Sequence, residues 1–314
     1  MIISASRRTD IPAYYSDWFF NRIKEGFALV RNPMNTHQVS KVLLTPEVVD
    51  GFVFWTKNPV PMMDRLDEIK DYPYYFQFTV NAYGKDVEPN VPSKNEIIIP
   101  AFQKLSRKIG RDRVIWRYDP IFLSENYTID YHCKYFEALA KKLHMYTDKC
   151  TLSFIDHYRK TERSTKPLNT INTTLQQKLE LMGRFSDIAK KYGLKPDTCA
   201  EDIDLEMFGI THAHCIDKAR LESIGGYKLN IGRDRNQRPE CGCAESIDIG
   251  MYDTCKNGCL YCYANHSAKT VLENFEKHDV DSPLLCGELT ENDVVKERPV
   301  ASCRSCQMNL FSDA

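Results

Sequence analysis

Three cysteines spaced C-x3-C-x2-C, at Cys255, Cys259 and Cys262, constrain this chain more than any other feature of its sequence. Thiolates two or three residues apart can bind one metal centre, because so short a loop lets the chain wrap around it. In a chain of this length with this many cysteines, chance would place only about 0.02 such triplets. A ferredoxin loop adds a fourth cysteine a few residues later, whereas the next one here is Cys286. A cubane cluster held by three thiolates leaves one iron open to a small molecule.

The spacing resembles that of the radical S-adenosylmethionine (SAM) superfamily, in which an aromatic residue often precedes the third cysteine, as Tyr261 does here. The resemblance implies a [4Fe-4S] cluster on the three cysteines, with Tyr261 beside it and SAM chelated to the open iron. It further implies reductive cleavage of SAM to a 5′-deoxyadenosyl radical that acts on an unknown substrate. A low-potential electron donor such as flavodoxin or ferredoxin is the partner implied.

The chain is also similar, nearly end to end, to a family of uncharacterised bacterial proteins that open with the segment Ser4 to Asp10. Those proteins carry the cysteine motif at the far end, and the similarity supplies no substrate. In the radical SAM superfamily the motif follows the first barrel strand, whereas here the strand-like run 246–252 leads into it near the C-terminus. We therefore predict a circular permutation that has moved this strand and the cluster loop to the end of the chain.

Charge and composition narrow the functional class. The net charge of -1, from 42 basic and 43 acidic residues, gives no support for a nucleic-acid partner or an anionic membrane surface. The N-terminus lacks the apolar run of a signal peptide, and no window reaches the roughly 20 apolar residues of a membrane span. Twelve cysteines in a cytoplasmic chain indicate metal or redox chemistry rather than a disulfide framework.

Short β-rich runs alternate with amphipathic stretches along the chain. This alternation favours a parallel sheet covered by helices, either a doubly wound sheet or a partial (β/α)6 barrel. We predict the barrel: an α/β, partial (β/α)6-type TIM-like barrel, circularly permuted, with a C-terminal iron–sulfur loop. Residues 1–252 would form the barrel, and 253–314 the cluster loop and a tail packed on it. The predicted strands are Ile2–Ala5, Phe52–Trp55, Tyr75–Val80, Val114–Tyr118, Thr151–Ile155 and Pro196–Ala200.

Two helices have clear start signals. Asp130 is predicted to cap the first, and Thr173 or Thr174 the second, which would stop at Gly193. The apolar positions expected to face the core are Tyr135, Phe136, Leu139 and Leu143 in the first, and Leu175, Leu179, Met182, Phe185, Ile188 and Tyr192 in the second.

Charged residues follow several predicted strands. Arg7 and Asp10 come after the first strand, Lys57 after the second, and Arg117 and Asp119 at the end of the fourth. Parallel strands of a barrel present their carboxyl ends to one mouth, where barrel enzymes place their chemistry. We therefore expect Arg117, Asp119 and Lys57 to contact SAM or substrate, and Arg7 and Asp10 to line the same cavity. The alternative is a structural ring of salt bridges closing the barrel top.

Four further cysteines, Cys199, Cys215, Cys241 and Cys243, lie between the sixth strand and the motif. Four thiolates could hold a second, auxiliary [4Fe-4S] cluster or a tetrahedral zinc ion, or they could be scattered thiols without a shared ligand. The remaining cysteines carry less information. Cys133 and Cys150 are interpreted as buried apolar residues, and Cys286 is unassigned. The pair Cys303 and Cys306 could form a zinc ribbon with Cys259 and Cys262, although the gap is longer than in compact ribbons.

Two other functional classes stay open at this point. One is an iron–sulfur or zinc protein without SAM chemistry, serving in electron transfer or as a binding module. The other is a metal-dependent hydrolytic barrel, which needs His, Asp or Glu ligands at strand ends. Only His157 directly follows a predicted strand, so this class is favoured least. The polar stretch 158–172 is interpreted as a lid or a solvated loop.

Overall fold

The computed structural model describes residues 1–156 and 164–305, and it is organised around a parallel sheet of eight strands. The strands are β1 (Ile2–Ala5), β4 (Gly51–Thr56), β5 (Tyr74–Thr79), β6 (Val114–Ile121), β7 (Lys149–Phe154), β8 (Lys195–Thr198), β9 (Thr211–His212) and β10 (Ile247–Asp248). Their order across the sheet is β10-β1-β4-β5-β6-β7-β8-β9. The α/β class predicted from the alternation of elements is therefore confirmed. Between β9 and β10 no pairing is found in the described residues, so closure into a barrel is not shown.

A small second sheet lies beside the large one. β2 (Phe27–Asn32) and β3 (Asn35–Leu43) form an antiparallel hairpin, and β11 (Val294–Glu297) pairs in parallel with β3. The sequence analysis missed this sheet, because half of β3 is polar and exposed and its apolar alternation is weak.

Helices connect most of the parallel strands. They are α1 (Ile11–Tyr14), α2 (Ser16–Glu25), α3 (Val60–Met63), α4 (Ile99–Ile109), α5 (Ile129–Leu143), α6 (Leu175–Lys191), α7 (Lys218–Gly225) and α8 (Ala268–Glu276). Short 3-10 segments occur at Leu66–Ile69, Arg111–Arg113, Lys166–Leu168 and Glu206–Phe208, and a π-helical turn at Lys94–Ile98 precedes α4. Among the described helices, none combines the length and the apolar character that crossing a bilayer requires.

The six predicted strands match β1 and β4 to β8 within a few residues at each end. The strand-like run 246–252 is shorter than predicted, since only Ile247–Asp248 pairs with the sheet. Thr174 caps α6 as predicted. The predicted cap of α5 is wrong: the Thr128 side chain accepts a hydrogen bond from the Tyr131 amide, which places Asp130 in the first turn instead.

Both faces of the large sheet are buried, as is usual for parallel sheets covered by helices. Phe52 and Phe54 on β4 contact Phe19 of α2, and Phe54 stacks on Phe76 of β5 with ring centroids 4.8 Å apart. Most residues predicted to face the core from α5 and α6 do so. Tyr135 and Leu175 are exceptions at 39% and 59% exposed, because each lies at the solvent edge of its helix's apolar face.

The position of β10 matters most for the site. Ile247 and Asp248 pair in parallel with Ile3 and Ser4 of β1, so the strand that leads into the cysteine motif adjoins the first strand of the chain. All eight strands point the same way, and their carboxyl ends therefore meet at one edge of the sheet.

Candidate functional site

A cavity of about 570 Å³ lies at the carboxyl edge of the sheet. Its walls come from the segments that follow β1, β4, β6, β7, β8 and β10, so it occupies the position predicted for the strand ends. Nearly all residues that the sequence singled out line it: Arg7, Asp10, Lys57, Arg117, Asp119, Cys199, Cys215, Cys241, Cys243, Cys255, Tyr261 and Cys262. Cys259 lies beside this set, packed against the aromatic cluster that contains Tyr83 and Tyr261.

The cysteine loop is fixed by its backbone and by α1. The Cys262 amide donates to the Cys259 carbonyl at 3.1 Å, and Gly258 has a φ of +68°, a conformation that favours glycine. Tyr14 donates its hydroxyl to the Asn257 side chain at 2.8 Å, and Tyr15 donates to the Thr254 carbonyl at 2.6 Å. The three thiols are therefore held on a loop anchored to the helix after β1.

Burial controls the ionisation of the motif thiols. It raises the pKa of Cys255 well above the ordinary value, and the neighbouring Asp10, Cys262 and Cys259 raise it further. Burial also raises the pKa of Cys259 to about 12, although Lys57 opposes the shift. Buried thiolates need a compensating cation, which a bound metal supplies.

Within the described residues, no three His, Cys, Asp or Glu donors are arranged to hold one metal ion. A cubane cluster does not require its ligands to surround one ion, because each thiolate binds a separate iron atom at a corner of the cluster. The three motif thiols lie on one short loop, and Cys255 and Cys262 line the cavity.

Asp10 connects three parts of the site. One of its carboxylate oxygens caps α1 by accepting from the Ala13 amide at 3.1 Å. The other accepts from the Lys57 amide at 2.8 Å and from the Asn257 side chain at 3.1 Å. Burial raises the pKa of Asp10, and these donors oppose that rise. Asp10 therefore positions the end of β4 and the cysteine loop relative to α1.

Glu88 organises a second network that sequence reasoning missed. Its carboxylate forms ion pairs with Lys57 at 2.8 Å and with Lys94 at 2.6 Å. It also accepts a hydrogen bond from the Tyr261 hydroxyl. Burial would raise the pKa of Glu88, but the two ammonium groups outweigh it and lower the pKa to about 2. Asn81, at the end of β5, also donates to the Tyr261 hydroxyl at 3.2 Å. This network fixes the position of Tyr261, the aromatic residue of the cysteine motif, through hydrogen bonds to its hydroxyl.

Arg117 lies at the centre of a third network. Its side chain is only 4% exposed, donates to Asp119 from Nε at 3.0 Å, and donates from Nη1 to Cys215 Sγ at 2.9 Å. Its guanidinium also lies 5.0 Å from the ring centroid of Trp55. Asp119 accepts a further hydrogen bond from Ser153 of β7. Arg117 and Asp119 thus pair with each other while both line the cavity.

Arg7 enters the cavity from the turn after β1. Its guanidinium lies 5.6 Å from the Trp55 ring centroid. Two buried nitrogen atoms in this region, Arg7 Nη2 and Trp55 Nε1, have no hydrogen-bond partner in the structure. Buried donors without acceptors are costly, so these two nitrogens mark a place where a polar ligand would fit.

Asp248 of β10 is another residue that the sequence analysis did not identify. It connects β10, which leads into the cysteine motif, to the turn that follows β1. Its carboxylate accepts from Ser4 and Ser6 hydroxyls at 2.8 and 2.6 Å, and from the Arg7 amide at 2.7 Å. The Gly250 amide donates to the same group at 2.9 Å. No local pattern marks either Glu88 or Asp248 as special, since most partners of each are distant in the chain.

The four other cysteines also come together. Cys199 and Cys215 have their sulfur atoms 3.0 Å apart, Cys243 interacts with both Cys215 and Cys241, and all four line the cavity. Hydrogen bonds from Cys199 and Cys243, helped by Arg117, lower the pKa of Cys215 well below its ordinary value against the effect of burial.

The remaining sequence-based interpretations have mixed outcomes. Cys133, Cys150 and Cys286 are buried free thiols, as interpreted for the first two. His157, Cys306 and the first part of the stretch 158–172 lie outside the described residues.

Comparisons with known proteins add a family but no activity. A family model described as "Domain of unknown function (DUF1848)" matches residues 2–264. No curated protein matches the chain. A solved structure from Bacteroides thetaiotaomicron, provisionally described as an alpha-L-fucosidase, is similar at 12% identity over 73% of this chain and 83% of its own. Its TM-score of 0.24 is too low for any argument about fold or function.

Proposed function

The chain belongs to the DUF1848 family, and because that description assigns no reaction, we propose from the chemistry of the site that the protein is a radical SAM-like enzyme. In this proposal Cys255, Cys259 and Cys262 ligate a [4Fe-4S] cluster, and SAM and an unknown substrate bind in the adjoining cavity. The observation that carries the proposal is the common location of the motif thiols and the charged strand ends. Cys255 and Cys262 line the same cavity as Arg7, Arg117 and Asp119.

The sheet order supports a permuted partial barrel. Starting from β10, which leads into the cysteine loop, the strands run β1, β4, β5, β6, β7 and β8 across the sheet in the order of the chain. This is the order expected if the strand that normally opens a radical SAM barrel had moved to the C-terminus. We therefore retain the permuted (β/α)6 barrel as part of the proposal.

The polar groups of the cavity match those of SAM. The unpartnered Arg7 Nη2 suits the SAM carboxylate, because guanidinium and carboxylate form strong charge-assisted hydrogen bonds. Asp119, whose side chain is 22% exposed, suits the SAM amine or sulfonium. Trp55, with its indole nitrogen unpartnered, offers both a donor and an apolar face for adenine or substrate.

Other residues position this machinery rather than contact the ligand. Glu88 holds Lys57, Lys94 and Tyr261 in one buried network, and Asp10 ties the cysteine loop to α1 and β4. When bound, the cluster would supply the electron that cleaves SAM, received from a donor such as flavodoxin or ferredoxin. The protein's part is to exclude water and to fix SAM beside the substrate.

Anaerobic purification followed by reconstitution with iron and sulfide tests the proposal. A brown protein is expected, with broad absorption near ~400 nm that changes when SAM is added. The triple variant C255A/C259A/C262A should lose that SAM-sensitive absorption. A colourless wild-type protein with stoichiometric zinc would contradict the proposal and favour a zinc-binding protein without SAM chemistry.

A further inference from the structure

Four thiols converge from three separate loops of the chain. Cys199 follows β8, Cys215 follows β9, and Cys241 and Cys243 precede β10. The Cys199 and Cys215 sulfur atoms are 3.0 Å apart. Cys243 completes the group by interacting with Cys215 on one side and Cys241 on the other.

The backbone holds these loops against the sheet. The Cys199 amide donates to the Leu152 carbonyl of β7 at 2.8 Å, and the Ala244 amide donates to the Ile216 carbonyl at 3.0 Å. The Ile216 amide in turn donates to Cys243 Sγ at 3.3 Å. The thiols are therefore brought together by backbone hydrogen bonds between these loops and the sheet, and not by side-chain orientation alone.

Gly242 shows how closely the loops approach. A Cβ atom at this position would lie 2.3 Å from Nδ1 of His214, which is closer than real Cβ contacts come. A side chain between Cys241 and Cys243 would therefore require the exposed His214 ring to move. The C-x-C pair is thus placed against the third loop by a close approach that glycine allows.

The charges around the thiols favour an anionic group. Arg117 donates to Cys215 Sγ at 2.9 Å, and Arg7 interacts electrostatically with both Cys243 and Cys215. Four thiolates bound to a zinc ion or to a [4Fe-4S]²⁺ cluster carry a net charge of about -2. The guanidinium groups of Arg117 and Arg7 would offset part of that charge, since Arg117 is also paired with Asp119.

The surrounding segment has little regular structure of its own. Between Cys199 and β10 it contains one 3-10 turn, the two-residue β9 and the eight-residue α7. Cys215, Cys241 and Cys243 belong to a small buried cluster that packs this segment on the sheet through Tyr75 and Val53. A metal centre would connect three loops that otherwise have few regular hydrogen bonds.

We propose that Cys199, Cys215, Cys241 and Cys243 together bind a second metal centre, either an iron–sulfur cluster or zinc, in the wall of the same cavity. Thiolates select such metals. In the described residues the four thiols do not yet surround one ion, so metal binding would have to rearrange them. Four sulfur atoms on one zinc ion would stand about 3.8 Å apart for Zn–S bonds of ~2.3 Å, whereas Cys199 and Cys215 are 3.0 Å apart. A cluster would require a wider separation, and metal content distinguishes the two.

The inference does not depend on SAM chemistry, because it concerns different ligands. The test measures iron, zinc and acid-labile sulfide in anaerobically purified C255A/C259A/C262A, in which the four thiols are intact. We expect either about four iron with equal sulfide, or about one zinc without sulfide, per chain. Adding C241S/C243S to the triple variant should remove that metal. The matched control C133A changes a buried cysteine of α5 and should retain the wild-type metal content.

Circular dichroism establishes that each variant is folded. If the variant with C241S/C243S does not fold, thiol titration of the folded triple variant provides the second measurement, with four additional reactive thiols expected after metal removal. A folded triple variant that binds no metal, or whose four cysteines are two disulfides, would overturn the second site and leave the proposed function intact. A triple variant that keeps its metal, together with a wild type that never cleaves SAM, would instead overturn only the proposed function.

Discussion

Arg117 donates a hydrogen bond from Nη1 to Cys215 Sγ over 2.9 Å, and this contact joins the charged end of β6 to the four-thiol group. The same guanidinium pairs with Asp119, so Arg117 is engaged on both sides before any ligand binds. Arg7 differs, because its Nη2 atom is buried without a partner. Of these two guanidinium groups, Arg7 is therefore the one with a donor left for a ligand.

We expect Arg7→Lys to weaken SAM binding about tenfold or more, because lysine keeps the charge but lacks the planar fork that matches a carboxylate. Tenfold corresponds to about 1.4 kcal/mol of binding free energy. Equilibrium binding to the reconstituted protein measures the effect. Arg31→Lys, on the distant second sheet where Arg31 pairs with Asp293, is the control and should bind like wild type. Equal affinity in the two variants would exclude Arg7 from the SAM site.

Glu88→Gln should destabilise the fold strongly, since it leaves the ammonium groups of Lys57 and Lys94 buried without their shared counter-ion. Breaking a buried ion pair in this way costs about 3–5 kcal/mol. The folded-state pKa of about 2 lies below the ordinary value of 4.5, so the stabilising contribution of Glu88 is complete above pH ~4.5 and is lost as the pH falls toward 2. Urea unfolding at pH 7 measures the free energy.

The control for Glu88 is the exposed Glu96, on the same connection between β5 and β6. Glu96→Gln should change the free energy of unfolding by less than about 0.5 kcal/mol. A Glu88→Gln protein as stable as the Glu96→Gln protein would show that the buried network contributes nothing to stability.

His132 gives the protein a second pH dependence, away from the cysteine clusters. Its imidazole is fully buried between the Tyr118 hydroxyl at 2.8 Å and the Phe122 carbonyl at 2.9 Å, and burial lowers its pKa from 6.5 to about 4. The unfolded chain binds the proton more readily, so the contribution of His132 to stability falls by about 3 kcal/mol as the pH drops from 6.5 to 4. His132→Gln should flatten this part of the profile, whereas the exposed His212→Gln should leave it unchanged. Identical pH profiles of unfolding free energy for the wild type and His132→Gln would refute this role of His132.

Gly250→Ala tests the junction between β10 and β1. An added Cβ would lie 2.0 Å from the Ser6 hydroxyl oxygen and 2.5 Å from Ser6 Cβ, so the turn that carries Arg7 must move. We expect a loss of about 1–3 kcal/mol in unfolding free energy and weaker SAM binding. Gly232→Ala, whose Cβ would meet nothing nearer than 4.0 Å, is the matched control. Identical stability of the two variants would argue against a rigid junction.

The sequence predicted the sheet well because its strands are continuous apolar runs flanked by polar residues. The rule that parallel strands end at one edge then placed Arg7, Lys57, Arg117 and Asp119 around one cavity, where the structure has them. Glu88 and Asp248 could not be found this way. Glu88 pairs with Lys57, 31 residues away, as well as with the nearby Lys94. Asp248 lies within an apolar strand-like run, and its partner Ser6 is 242 residues away.

Production of 5′-deoxyadenosine tests the central claim most directly. Reconstituted protein is incubated anaerobically with SAM and a strong reductant, and the nucleoside is quantified by mass spectrometry. The account predicts 5′-deoxyadenosine from the wild type and none above background from C255A/C259A/C262A. A wild-type protein that binds a full iron–sulfur cluster, yet forms no more 5′-deoxyadenosine than the triple variant, would contradict it.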